Sequence, residues 1–231
     1  DYGFITCKDS EGNGSPVEFR FNGWGNKFNA AEDNLANQRY LASMCKSVLR
    51  SSPIVAEGGA LEIDEDGHLL STAQCLLNPE RNGDMSLSAY EDAFKDMLGC
   101  SKVTILQHGH LEGDDTDGHI DTLVRFTPNK GLVIQACNNR PNDSHFEGLK
   151  ALCDECALEL PEHEQFHLPL PNIVNDEGDR LPASYANYLI CNNAILLPVY
   201  GEEEDAEAIE TVQRAHPNHI VEPIDCSVLV R

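Results

Sequence analysis

Positive charge is what the 231-residue sequence most lacks: 16 lysines and arginines face 39 aspartates and glutamates, for a formal net charge of −23. The carboxylates are scattered, with one short run at Glu202-Glu203-Glu204-Asp205. A surface of that sign repels nucleic acid and anionic membrane and attracts small cations. Long apolar runs are missing as well. Stretches such as Ala194-Ile195-Leu196-Leu197-Pro198-Val199-Tyr200 fall far short of the roughly twenty residues a membrane-spanning helix needs, and no segment has the order of a secretory leader. Disulfide-framework spacing is a third absence. The nine cysteines are an odd number, and Cys7, Cys75, Cys137 and Cys191 sit in apolar segments, so the thiols read as reduced and the expected compartment is the cytoplasm. Cys153 and Cys156 form a lone Cys-x-x-Cys without the second pair a zinc site needs, in a stretch from Glu147 to Leu160 with helical spacing; they read as small helix residues one turn apart.

What the sequence does have is Gly113-Asp114-Asp115-Thr116-Asp117-Gly118-His119-Ile120-Asp121, four carboxylates and a histidine in nine residues. The run leads into the apolar stretch Thr122-Leu123-Val124-Arg125-Phe126, so His119 and Asp121 are expected at the mouth of a strand. Residues i and i+2 of a strand share a face, and an imidazole beside a carboxylate can exchange a proton and hold a cation.

Hairpin and helix signals recur along the chain. Gly3–Cys7 and Val17–Phe21 flank the turn at Glu11–Gly14, and a helix is expected from Ala30 to Leu49. Ala60–Ile63 and His68–Thr72 flank Asp66-Gly67, with helical periodicity from Ser88 to Leu98. Thr122–Thr127 and Gly131–Ala136 flank Pro128-Asn129-Lys130, and a helix follows from about Glu147. Tyr185–Ile190 and Ala194–Val199 flank Asn192-Asn193, and Asp205–Ala215 is the fourth helix. The last three turns, at Gly67, Lys130 and Asn193, lie 63 residues apart. A fixed period of this length signals modules that bury their apolar faces only against neighbours or by closing into a ring. The expected units are 1–50, 51–100, 101–165 and 166–220, with a fifth beginning at 221 in two strands, Val221–Ile224 and Cys226–Arg231. They are read as one domain, as part of a longer chain at both ends.

Several motifs resemble the agmatine deiminase and bacterial peptidylarginine-deiminase-type family of the guanidino-group-modifying superfamily. They are Asp1-Tyr2-Gly3, Phe21-Asn22-Gly23-Trp24-Gly25-Asn26-Lys27, Glu57-Gly58-Gly59, Cys75-Leu76-Leu77-Asn78-Pro79-Glu80-Arg81-Asn82, Asp115-Thr116-Asp117-Gly118-His119-Ile120-Asp121 and Ala183-Ser184-Tyr185-Ala186-Asn187. The resemblance implies an α/β fold, a pentein-type propeller of which about four of five blades are present. It implies that Asp1 and Asp121 bind a guanidinium, that His119 is the general acid and base, and that Glu57 orients His119 or contacts the guanidinium. Asp115 corresponds to a further substrate-facing carboxylate, and Trp24 to a packing residue of the channel wall within reach of substrate. Phe4 departs from the family motif, which carries proline there.

The implied reaction is hydrolytic deimination, with agmatine going to N-carbamoylputrescine and ammonia, and peptidyl-arginine or arginine as alternative substrates. Its nucleophile is a cysteine in a Gly-rich His-Cys segment of the last blade, which this sequence does not contain. Cys226, in what reads as a plain strand, is not that residue; the nucleophile is expected beyond Arg231, and the 231-residue chain alone is expected to be inactive. The partner is a small cationic guanidino compound, no metal or cofactor is expected, and self-association is left open. Two readings of other classes stand beside this one: a metallohydrolase built on His108, His110 and His119 with the neighbouring carboxylates, and a non-catalytic guanidinium-binding module. A calcium loop at Glu62-x-Asp64-x-Asp66-Gly67 fails at its twelfth position, Ala73, and reads as a hairpin turn.

Overall fold

The computed structural model describes residues 1–8, 11–44 and 48–230, which form four three-stranded sheets. The chain divides into two compact units, Asp1–Ile105 and Leu106–Arg231. In the first, the strands are β1 (Ile5–Lys8), β2 (Gly14–Arg20) and β3 (Arg50–Val55), then β4 (Glu62–Ile63), β5 (His68–Thr72) and β6 (Lys102–Leu106), with α1 (Asp33–Met44) between β2 and β3 and α2 (Leu87–Leu98) between β5 and β6. In the second they are β7 (Val124–Thr127), β8 (Gly131–Gln135) and β9 (Glu164–Leu168), then β10 (Leu189–Cys191), β11 (Ala194–Val199) and β12 (Ile220–Asp225), with α3 (Phe146–Glu159) and α4 (Asp205–Ala215) placed likewise.

Each sheet is a hairpin plus a strand that comes back after the helix. The second strand is always central, and β3, β9 and β12 run parallel to β2, β8 and β11. This third strand is what the sequence pattern hid. The expected unit boundaries at 51, 101, 166 and 221 fall within two residues of the starts of β3, β6, β9 and β12, which belong to the preceding sheets. The segment expected to open a fifth unit is β12, paired along its length with β11. Beyond it, Cys226–Val230 is a turn rather than a strand, because the Asp225 carboxylate accepts the Ser227 N–H at 3.0 Å and Cys226 O accepts from Leu229 and Val230. Residues 45–47 of the expected first helix and Arg231 lie outside the described residues.

Each of the three later hairpin turns contains a left-handed residue. Gly67, Lys130 and Asn192 all have positive φ, at 78°, 57° and 54°, which glycine and asparagine adopt at least cost. At the Glu62–Asp66 segment the Asp64 carboxylate accepts from Asp66 N and His68 N at 2.9 and 2.7 Å, so it closes a hairpin, as expected.

Within each unit the second module's helix covers the first module's sheet. Tyr90 and Phe94 of α2 are fully buried against Val17 and Phe19 of β2, with Phe19 and Phe94 edge to face at 5.9 Å. In the second unit Ala208 and Val212 of α4 pack into one core with Val133, Leu168, Ile195 and Leu197. No helix is long and apolar enough to cross a membrane among the described residues. Cys153 and Cys156 are buried on α3, and burial pushes their thiols up to about 11 and about 12.

One buried imidazole makes the second unit sensitive to acid. His216, which ends α4, is 1% exposed and meets the Tyr188 hydroxyl at 2.9 Å, while His219 and the Arg125 guanidinium lie nearby. Burial first, then those two neighbours, lower its pKa from 6.5 to about 4. The unfolded chain therefore takes up a proton below pH 6.5 that the folded chain refuses until about pH 4. Stability should fall by about 1.4 kcal/mol per pH unit across that window from this residue alone. Urea unfolding at stepped pH checks this: the His216→Phe variant should show a shallower slope, so that its stability deficit against the wild type shrinks as the pH falls from 6.5 to about 4.

Candidate active site

In the first unit a single four-residue helical turn, Pro79–Asn82, organises three pieces of backbone. Asn78 caps it, accepting the Glu80 N–H, and Pro79 sits where no N–H partner is required. Arg81 then points inward, and its Nε donates to both oxygens of Glu57 at 2.9 and 3.1 Å, with both side chains wholly out of water. Asn82 hydrogen-bonds the N–H and C=O of Val55, at the end of β3, and the Tyr90 hydroxyl. Glu80 O accepts from the amides of Asn22 and Asn26, which anchors the turn that carries Trp24.

That turn is left-handed at Trp24 and Gly25, with φ of 56° and 78°. Gly23 permits it, since a Cβ there would lie 2.0 Å from the Phe28 carbonyl oxygen. The Trp24 ring packs edge-on against Phe21 and Phe28, and its Nε1–H donates to Asp1 Oδ2 at 2.8 Å. Gly59 N–H donates to Asp1 Oδ1 at 2.8 Å and Gly58 N–H to the Asp1 carbonyl at 3.0 Å. Glu57-Gly58-Gly59 thus supplies one buried carboxylate and positions a second, exposed one. Trp24 is more than the wall residue expected, since it orients Asp1.

In the second unit the acidic run divides by function. Asp114 is structural: its carboxylate accepts from Thr116 N–H, Thr116 Oγ1 and Gly118 N–H at 2.6–2.8 Å. Thr116 Oγ1 in turn accepts the His119 N–H at 3.2 Å. Asp115 is exposed, and His119 is 2% exposed. The expected strand at His119 and Asp121 is absent; Ile120–Thr122 is a turn of 3-10 helix that His119 precedes, and β7 starts only at Val124. The wrapped Asp114 loop brings the chain in bent, and Thr122 Oγ1 closes the bend on His119 O at 2.8 Å. The i, i+2 face argument therefore does not hold. Ser184 secures the same bend from another side, donating to Thr122 O at 2.6 Å, so Ala183–Asn187 serves as a joint.

The arrangement expected for a metallohydrolase does not form. Among the described residues neither His108 nor His110 joins a set of three ligand side chains within reach of one ion. Their loop is tied instead to α3, where the Glu155 carboxylate accepts the Gln107 and His108 N–H groups at 2.8 and 3.1 Å. Nor does any resolved thiol shift favour a nucleophile. Burial raises Cys7 and Cys226 and pushes Cys100 and Cys137 up to about 11, like Cys153. Sequence reasoning passed over Arg81 inside a motif it had noted; the signal was the Asn78-Pro79 helix start, which fixes where Arg81 points.

The repeated modules of hairpin, helix and returning strand match the pentein-type α/β fold of deiminase structures, which places the chain among guanidino-group-modifying proteins. The chain belongs to the Porphyromonas-type peptidyl-arginine deiminase family, whose model matches residues 1–231. A Vibrio parahaemolyticus relative named "Putative agmatine deiminase" is 32% identical, with 95% of this chain and 67% of that protein covered. A Porphyromonas gingivalis structure described as a "Putative Arginine Deiminase" superposes with a TM-score of 0.92 at 40% identity, covering all of this chain and 70% of that one. A cysteine-to-serine variant of C. jejuni agmatine deiminase with substrate bound gives 0.91 at 31%, covering 100% and 68%. The chain thus spans about two thirds of the length of these proteins.

Removing the Arg81 charge should leave Glu57 buried without its principal counter-ion. We expect Arg81→Met to cost about 3–5 kcal/mol, read as a lower urea midpoint. A cost below 1 kcal/mol would show that the pair does not hold the unit together.

Proposed function

We propose that the protein hydrolyses the guanidino group of agmatine to N-carbamoylputrescine and ammonia. The observation that carries this reading is the likeness over the whole chain to the substrate-bound C. jejuni agmatine deiminase. The net charge of −23 agrees with it, since the field of such a protein favours a dication.

A guanidinium is planar and delocalised, and its central carbon is a weak electrophile. Paired hydrogen bonds from carboxylates match its edges and fix its orientation. Asp1, Asp115 and Asp121 supply these contacts in our reading, with Trp24 and Gly59 holding Asp1 in place. Glu57, fixed by Arg81, orients the reacting groups. A thiolate then adds to the guanidinium carbon. The C–N bond breaks as His119 gives its proton to the leaving ammonia, and the carbon remains bound to sulfur as a thiouronium. His119 next takes a proton from water, whose oxygen adds to that carbon and expels the thiolate. Agmatine and water become the ureido product and ammonia, and the enzyme is regenerated. Burial raises the thiol pKa at Cys7, Cys100, Cys137, Cys153, Cys156 and Cys226, away from thiolate, which sets these six aside as the nucleophile in our reading.

A second substrate reading, arginine or peptidyl-arginine, rests on the family's description and on that of the P. gingivalis structure. Steady-state kinetics on the complete protein with agmatine, arginine and a blocked arginine ester separate the two; agmatine should have the highest kcat/KM. Asp121→Asn should abolish turnover with the fold intact by circular dichroism, and a near-normal rate would remove Asp121 from the guanidinium grip. The 231-residue chain on its own should release no ammonia from agmatine. Trp24→Phe keeps the ring packing and deletes the N–H to Asp1, so KM should rise about tenfold, the worth of one charge-assisted hydrogen bond.

A further inference from the structure

A second histidine of the Leu106–Arg231 unit is placed in an unusual way. His145, at the start of α3, is 6% exposed, and its ring is used at both nitrogens. Nδ1 lies 2.7 Å from Asp143 Oδ1, and Nε2 lies 2.8 Å from the backbone nitrogen of Glu112. An amide N–H can only donate, so Nε2 must present its lone pair, and the ring proton is on Nδ1, facing the carboxylate. The ring is therefore neutral and of one tautomer. Asp143 is itself held: it also accepts the His145 N–H at 3.0 Å, and its Oδ2 accepts from Arg180 Nη1 at 3.1 Å. Burial alone would raise the Asp143 carboxyl, but the bonds from His145 and Arg180 outweigh it and hold it at about 2. Arg180 is anchored in turn through Nη2 to Pro171 O at 2.7 Å.

The far end of this chain of bonds is the loop that carries the acidic run. Glu112 N–H donates to the imidazole, and the next residue, Gly113, lies so close to the Arg180 backbone that a Cβ would be 2.5 Å from its carbonyl oxygen. From there Asp114 ties Thr116 and Gly118, and Thr116 ties His119 N–H. The loop is thus fixed at both ends, at Glu112 by His145 and at His119 by Thr116. Nothing in the proposed chemistry uses His145, Asp143 or Arg180.

We infer that His145 is a positioning residue, a neutral imidazole bracket that, with Asp143 and Arg180, holds the Glu112–Gly118 loop so that Asp115 and His119 are presented for catalysis. The inference rests on the deiminase reading only for its effect on turnover. Its structural half is the clamp on the Glu112 N–H.

The test uses the complete protein and two variants, His145→Leu and His145→Gln. Glutamine can place an amide oxygen near the Nε2 position and accept from Glu112 N–H; leucine cannot. Amide hydrogen exchange across 111–118 and kcat/KM for agmatine are measured together. In His145→Leu we expect exchange in that segment to quicken about tenfold and kcat/KM to fall about tenfold, the worth of one hydrogen bond, with exchange in β8 unchanged. His145→Gln should recover most of both. Unchanged exchange in His145→Leu, or equal losses in the two variants, would overturn the inference. If His145→Leu fails to fold, Asp143→Asn takes its place, expected to quicken the same segment; no change there overturns the inference equally. A wild-type protein that turns over none of the three guanidino compounds defeats the deiminase reading, and exchange alone then decides the clamp.

Discussion

The second strand of each module is hydrogen-bonded on both sides, and in three of the four sheets one of its partners is a strand that returns parallel to it. Parallel neighbours end at the same edge of a sheet, so the loops that leave them emerge together. In the first unit β2 ends at Arg20 and β3 at Val55, with Ala56 N–H bonded to Arg20 O. The Trp24 turn follows one and Glu57-Gly58-Gly59 the other, and they meet on Asp1. In the second unit the segment after β8 holds Asn139 and Arg140, both bonded to Leu170 O, just past β9. The repeated strand pairing is the reason that residues far apart in sequence arrive at one place.

The carboxylates that sit at such edges are held in two ways, and the difference has chemical meaning. Glu57 and Asp143 are tied to arginines, Glu57 wholly buried and Asp143 largely so, and their charge is answered locally. Asp1 is exposed, and its bonds to Trp24 and Gly59 come from neutral donors. A charge held by neutral donors keeps its attraction for a cation, whereas one paired with arginine has largely spent it.

Much of this was legible in the residues. The equal spacing of the turn signals near Gly67, Lys130 and Asn193 marked the module, and α4 begins and ends where its periodicity said. The third strands were not legible. Arg50–Val55 and Glu164–Leu168 are short, with polar positions facing solvent, and only their parallel partners make them strands. The bend at Ile120–Thr122 was hidden too, since an apolar run after an acidic loop reads as a strand until the Asp114 and Thr122 bonds are seen to bend it. Motif residues were found more readily than their supports. Arg81, Asp143 and His145 each act on a group distant in sequence, the Glu57 carboxylate, the Arg180 guanidinium and the Glu112 N–H, and no local pattern marks that.

The buried thiols have a practical meaning for covalent chemistry. Cys100, Cys137, Cys153 and Cys156 are shielded by the core and held as thiols, at about 11 to about 12. An electrophile such as a haloacetamidine reacts with thiolates, so at neutral pH it would pass these four by. Exposed Cys191 is the foremost competitor among the described residues. With that position blocked, the four buried thiols would add little background to an alkylating probe.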